Sequence, residues 1–370
     1  MMGSAWEIGI FGGTLLLGLM AGWAMHRSDF CLASAFRDLF LFRSTFMLRQ
    51  IALAVLVGLV LFEALRQSGL VDELPFPMMG PASWTHLLGG AVFGFGMVLA
   101  GGCVFGTLYK AGAGSATGLT AIGGIVSGCM IYGWIHPWWQ PLRERLTWSV
   151  SWDLPGVLGA SALLFKAVTA VFLLAMVLYW FQHGSLRRGA HAQGYLQPWH
   201  TALALGAIGA LSVLLVGMPL GLTTAYTKVG AWLVTLAVPV PAQVPDYFST
   251  VAMDYRTLLG GVPLRGGPTP HWDGISLVQY PLILGVFFGS ALSAVRLGEW
   301  HLRWRLPPNQ YLLALTGGVM MGLASRLAPG CNVWHVLGGL PILAIGSILF
   351  ALGLFPGAWF GARLLNRLLA

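Results

Sequence analysis

The sequence predicts an all-α polytopic membrane protein with about nine transmembrane helices, broken or re-entrant helices among them, in two inverted repeats. Three observations carry that expectation. Charged residues make up only 9% of the 370-residue chain and hydrophobic ones 57%, whereas soluble domains carry roughly 25% charged residues. Several apolar runs reach the roughly 20 residues a helix needs to cross a bilayer. They are continuous rather than alternating, which selects helices over a barrel. Finally, one glycine-rich stretch occurs twice: Gly90, Gly94, Gly102 and Cys103 recur at a constant offset as Gly318, Gly322, Gly330 and Cys331.

Span one reads as Trp6 to Met25, with Glu7 and no basic segment before it, so it is expected to remain uncleaved. The polar-studded run His26-Arg27-Ser28-Asp29-Phe30-Cys31 follows, then a second span from Phe46 to Leu65. A loop with Asp72 and Glu73 but no Lys or Arg leads to the first broken element, His86 to Lys110. Leu119–Trp134 is the next span, and the tryptophans after it (Trp138, Trp139, Trp148, Trp152) suit a membrane–water interface. Pro155–Phe181 is a long span reaching His183, Arg187, Arg188 and His191.

The second half repeats the plan. Trp199–Gly217 is a span, and Gly221–Gly230 stands where the His26–Cys31 region stood. A Pro- and Gly-rich loop from Pro239 to Ile275 should lie outside the membrane. Tyr280–Ala294, the second broken element and Ile342–Leu365 complete the set. Residues 1–182 are the first repeat, 183–198 a cytoplasmic linker, and 199–370 the second repeat. Lys and Arg cluster around Arg37–Arg49, Arg187–Arg188, Arg296–Arg305 and Arg363–Arg367, which places those segments and the C-terminus in the cytoplasm and the N-terminus in the periplasm. Inverted repeats with discontinuous helices are a common transporter plan, with substrate bound between the repeats.

The net charge of +8 is spread through loops without a dense basic stripe, so no nucleic-acid partner is expected. Four cysteines without a C-x-x-C spacing give no metal site, cofactor or dithiol motif. No G-x-x-x-x-G-K-[ST] loop is present, so the chain does not itself use ATP. Methionines with cysteines would suit Cu(I), but twelve acidic residues and a positive balance speak against a transported cation. No catalytic residue is assigned.

A helix beginning just after Cys103 or Cys331 would aim unpaired N–H groups and a positive dipole end at the break, which attracts anions. A single cysteine reads as a small core hydrophobe, and Cys129, mid-helix with no break or charge near it in sequence, is read that way. The matched pair Cys103 and Cys331 reads as a site, with Gly102, Gly330 and Asn332 around it. Lys110 and Arg326 flank the breaks and could balance an anion; the plain alternatives are a snorkelling Lys110 and an Arg326 bound to a carbonyl. Cys31 is an extra thiol on the cytoplasmic side, and Arg27 and Arg37 mark an exit or a docking surface. Lys166, mid-span, is a functional candidate by default, but its partner cannot be read from the sequence.

These segments together resemble the YeeE/YedE-like sulfur-transport family of bacterial inner-membrane proteins. The resemblance rests on Met25-His26-Arg27-Ser28-Asp29-Phe30-Cys31 through Phe36-Arg37-Asp38, on Ala100-Gly101-Gly102-Cys103 through Gly106-Thr107 and Tyr109-Lys110, and on Pro329-Gly330-Cys331. It covers nearly the whole chain. It implies thiosulfate uptake, with Cys103 and Cys331 near a central site and Cys31 towards the cytoplasm. The third motif departs from the family's Gly-Gly-Cys with a glycine three residues on: Pro329 precedes the glycine and Trp334 stands in the later glycine position. Another sulfur or selenium species therefore stays open as substrate. Two other classes also remain: a membrane sulfurtransferase or thiol oxidoreductase carrying a persulfide, and a scaffold docking a soluble sulfur-carrier protein at Arg37, Arg43 and Arg296–Arg305.

Overall fold

The computed structural model describes residues 5–71, 75–76, 78–148, 151–189, 192–237, 244–258 and 260–369. The acidic pair Asp72–Glu73, His191 and Pro239, all used in the sequence reading, lie outside the described residues. The first half comprises α1 (Ala5–Ser28), α2 (Leu32–Phe42), α3 (Phe46–Gln67), α4 (Thr85–Leu99), α5 (Val104–Gly112), α6 (Ala116–Arg145), α7 (Leu154–Val157) and α8 (Ala162–Gln182). The second comprises α9 (Pro198–Val216), α10 (Thr223–Ala237), α11 (Gly274–Arg296), α12 (Pro308–Leu327) and α13 (Ile345–Leu369). Between α10 and α11 lie a 3-10 turn, Asp246–Ser249, and a two-stranded antiparallel hairpin, β1 (Met253–Arg256) with β2 (Pro263–Gly266). The sequence read that stretch as plain loop.

Among the described residues, eight helical stretches are long and apolar enough to cross a membrane, against the nine expected. The ninth expected span is α12, 20 residues long but less apolar, because Asn309, Gln310 and Arg326 dilute it. The expected Pro155–Phe181 span is interrupted: α7 ends at Val157, and Gly159 (φ 62°) turns the chain before α8. The Leu119–Trp134 span is longer than expected, running to Arg145 through Pro137 and Pro141.

The core is built by pairs of helices meeting through glycines four residues apart. Gly18 and Gly22 of α1 face Gly285 and Gly289 of α11; Gly90 and Gly94 of α4 face Gly353 and Gly357 of α13; Gly124 and Gly128 of α6 face Gly318 and Gly322 of α12. At each of these positions a Cβ would run into the partner's backbone. Lipid tails are as apolar as leucine, so association inside a bilayer depends on this close van der Waals approach. Further packing joins α3 to α9, α4 to α12 and α1 to α9. The short helices α2, α5 and α10 sit inside this frame. By contrast α8 packs on α3, and most of its surface, including Leu164, Val168 and Phe172, is exposed.

Candidate functional site

At the first break α4 stops at Leu99, and Gly101 turns the chain with φ 67°. Cys103 is extended (φ −81°, ψ −178°) and caps α5, its thiol accepting the Gly106 N–H at 3.3 Å. Gly102 packs closely on the first turn of α5: a Cβ would stand 3.1 Å from the Thr107 nitrogen. Lys110 Nζ does not snorkel; it donates to the Gly101 carbonyl at 2.6 Å, tying α5 back to the break. Cys31 reaches the same place from the corner between α1 and α2, where Asp29 adopts φ 50°. A Cβ on Gly106 would stand 2.5 Å from Cys31 Sγ and 3.5 Å from Cys103 Sγ. The two buried thiols therefore share the space above Gly106, within hydrogen-bonding reach of each other.

The second break is built differently. After α12, Gly330 turns with φ 129° and Cys331 precedes two helical residues. From there the chain is a π-helix, Trp334–Gly339, not the α-helix expected. The wider coil accommodates Trp334, whose ring lies over Gly330 and Gly221, and it closes with Leu340 N–H donating to the His335 carbonyl. The Val333 and Trp334 N–H groups point at the Cys331 thiol, so the anion-attracting end survives the change of helix type. Asn332 is fully buried, lies within reach of the Cys103 thiol, and neither atom of its amide has a hydrogen-bond partner. The Tyr226 hydroxyl on α10, near Cys331 and Cys129, is likewise unpaired. Buried polar atoms without partners are uncommon in folded proteins. Two of them beside the thiols mark a place where a polar ligand would be satisfied.

A cavity opens towards each end. The one at the Arg27 end has a volume of about 640 Å³ and is lined by His26, Asp29, Tyr109, Lys110, Glu299 and Arg303. Tyr109 donates to Asp29 at 3.1 Å, just beside Cys31. Across the mouth runs the segment carrying Tyr195, which donates to both Glu299 oxygens at 2.7 and 2.8 Å. Burial and that bond push the Tyr195 hydroxyl up to about 12. At the opposite end a cavity of about 380 Å³ is lined by Tyr132, His136, Arg143, Tyr247, Arg326 and Pro329. It leads to a narrow space of about 30 Å³ between Thr223, Thr224, Gly330 and Trp334.

Arg326 stands between these two spaces, 7% exposed. Among the described residues it binds no carbonyl; it donates to Thr223 Oγ1 at 2.5 Å, Thr224 Oγ1 at 3.4 Å and Ser325 Oγ at 3.5 Å, with Tyr247 in reach. Among the described residues no carboxylate pairs with it. A buried cation held only by neutral hydroxyls is poised for an anion. The structure also places Arg326 close to Cys129, where the sequence showed no charge; the Cys129 thiol itself donates to the Gly322 carbonyl at 3.6 Å. Lys166 gains its partner: Glu63 Oε2 at 3.2 Å, which also binds Arg66, and the cluster fastens α8 to α3 away from the thiols. Arg27 donates to Ser293 Oγ and the Gly194 carbonyl, and Arg37 pairs with its neighbour Asp38 at 2.8 Å.

Cys31, Cys103, Asn332 and Cys331 are thus gathered at the centre, with Lys110 and Arg326 towards opposite ends. Sequence reasoning missed Thr223, Thr224, Tyr226, Tyr247 and His335. The first three lie in the stretch aligned with the Cys31 region, a signal that was available. Tyr247 sits in the loop and carried none.

A family profile described as sulphur transport matches residues 27–360. The chain belongs to that family. A protein of Spirochaeta thermophila named thiosulfate transporter TsuA is 28% identical over 95% of this chain and 98% of its own length. An Escherichia coli protein of the same name is 26% identical over 93% of both chains. A probable transporter of Escherichia coli, YedE, is 32% identical over 28% of this sulfur-transport chain and 24% of its own. The multi-pass helical membrane fold described above agrees with that membership.

Proposed function

We propose that this protein imports a small sulfur-containing anion, most simply thiosulfate, across the bacterial inner membrane. The observation that carries the reading is the central cluster: three buried thiols on three helix starts, with the unpaired Asn332 amide among them. Thiosulfate has a soft terminal sulfur that thiol S–H groups can solvate, and charged oxygens that helix N–H groups and the Asn332 amide can hold. It enters past Arg143 and Arg326, meets Cys331 and Cys103, and leaves by Cys31 towards Asp29, Lys110 and the larger cavity. None of these contacts is covalent, and successive weak sites are what conduction requires. The full-length relatives named as thiosulfate transporters support this substrate.

We place the N-terminus and the Arg143 cavity in the periplasm and the C-terminus in the cytoplasm. The concentration of Arg27, Arg37, Arg43, Arg187, Arg188, Arg296, Arg303 and Arg305 at the other end supports that orientation. The exchange of packing partners supports an inverted repeat of 1–182 with 199–370: α1 with α11 mirrors α9 with α3, and α4 with α13 mirrors α12 with α6. The cytoplasmic cavity, open and about 640 Å³, would hand the anion to a soluble sulfur-carrier protein docking near Arg37 and Arg43. Moving a divalent anion inward against 100 mV, negative inside, costs about 4.6 kcal/mol at ~2.3 kcal/mol per charge.

The test is uptake of sulfur-labelled thiosulfate by proteoliposomes holding wild type or Cys103→Ser. Uptake by wild type that disappears in the variant is expected. Equal uptake by both removes the thiols from the mechanism.

A further inference from the structure

His335 lies four residues after Cys331, inside the π-helical segment, and is not used by the anion path above. It is 2% exposed. Its ring stacks on Phe350 at 4.2 Å and meets the His86 ring edge-on at 5.7 Å. Nδ1 is bonded to Ser347 Oγ at 3.0 Å, whereas Nε2 has no hydrogen-bond partner. That free nitrogen faces the second break: a Cβ on Gly330 would stand 3.0 Å from it. Isolated π turns are frequent at functional sites, and this one turns an imidazole nitrogen towards the bend that carries Cys331.

A small cavity of about 10 Å³, room for about one water, lies between His86, His335, Ser347 and Arg143. It shares Met79, Gly80, Arg143 and Pro329 with the larger cavity at that end, so a proton has a short way from that cavity to His335. The charged and titratable groups around His335 are few. His86 comes from α4 and Arg143 from the end of α6; Asp153 caps its own short helix, α7. From α13 come Ser347 and Phe350. On α3 the contact is at Gly58, and Glu63 is held by Arg66 and Lys166; α9 carries no charged residue, and its His200 is at the far end. No carboxylate among the described residues is paired with the ring; at the break the backbone of Ala328 lies within its reach, a neutral acceptor that leaves the charge of an imidazolium to be balanced by an anion.

We propose that His335 is the proton site of the transporter: it takes a proton from the Arg143 cavity, pairs as imidazolium with the sulfur anion at Gly330–Cys331, and one proton enters with each anion. This rests on the transport reading above and names its coupling ion. Nδ1–H then donates to Ser347 Oγ and Nε2–H to the anion. By reciprocity the proton raises the anion's affinity as much as the anion raises the proton's. The device also eases the electrical problem: one proton with each dianion halves the negative charge carried inward, from two to one.

The experiment uses proteoliposomes with a trapped pH-sensitive dye, the membrane potential clamped, and labelled thiosulfate outside. A one-unit gradient, acid outside, should raise steady-state accumulation about tenfold, the ratio set by one co-transported proton. The dye should report acidification in step with uptake. His335→Gln should abolish the response to the gradient. Ser347→Ala, which removes only the Nδ1 partner, should move the acid-stimulated half-point to lower pH, a shift that a packing role would not produce. Uptake by wild type with neither gradient response nor acidification overturns proton coupling alone. A full gradient response in folded His335→Gln overturns the assignment to His335. No uptake by wild type at any pH sinks the transport reading and this inference with it.

Discussion

The breaks at Cys103 and Cys331 share a frame and differ in filling. Each ends a glycine-packed helix, turns on a glycine with positive φ, and puts a cysteine at the start of the next helical segment. Three residues on, the first break has Gly106 and the second Trp334. Gly106 leaves room for the Cys31 thiol to lie beside Cys103. Trp334 fills the matching room with an indole over Gly330, the coil widens to a π-helix, and the polar contribution comes from Asn332 and His335 instead. One break is a site for two soft sulfur atoms; the other combines a thiol with an amide and an imidazole. A glycine or an indole at one position thus decides whether a repeated motif collects sulfur or hydrogen-bonding groups.

The contrast is most exposed at Gly106. Gly106→Leu pushes a branched side chain into the space of both thiols, and uptake should fall more than about 100-fold, roughly 2.7 kcal/mol in the barrier; near-normal uptake would show that the anion does not pass there. At the second break Asn332→Leu should lower uptake about tenfold. The same variant should melt higher, because an unpaired buried amide costs about 1–3 kcal/mol. A lower melting temperature would mean that the amide is satisfied in the resting protein. Gly330→Ala should cost about 1–3 kcal/mol through the strained φ, and more through a Cβ that would stand 2.4 Å from Trp334 Cδ1, read as a drop in melting temperature. The least effect belongs to Cys129→Ala: its thiol bonds a carbonyl between α6 and α12, so uptake should stay within about twofold and stability within roughly 1 kcal/mol. A larger loss of uptake would add Cys129 to the path.

Much of this was legible beforehand because membrane composition constrains strongly. An apolar run of 20 residues has few options in lipid, and the repeated glycine–cysteine frame located both breaks to the residue. Cys103, Cys331 and Asn332 were placed together for that reason, whereas Cys31, which has no counterpart in the repeat, was expected further towards the cytoplasm. Lys166 shows the opposite case: a lone intramembrane cation announces a partner but not which one, and Glu63 is 103 positions away. The π-helix also escaped, since its hydrogen bonds differ from those of an α-helix by one residue of register, a choice made by how Trp334 packs.

By itself, then, the sequence determined the class of protein, the order of its spans, the position of its two breaks and the identity of the thiols, because hydrophobicity and glycine spacing act locally along the chain. Only the tertiary structure decided that Cys31 lies over Gly106, that Arg326 is held by Thr223 and Thr224 with no carboxylate paired to it, and that the Asn332 amide, the Tyr226 hydroxyl and His335 Nε2 are left without partners. Those are relations between residues distant in sequence, and packing sets them only once α2, α5, α10 and the π-helical segment have converged inside the frame of paired helices.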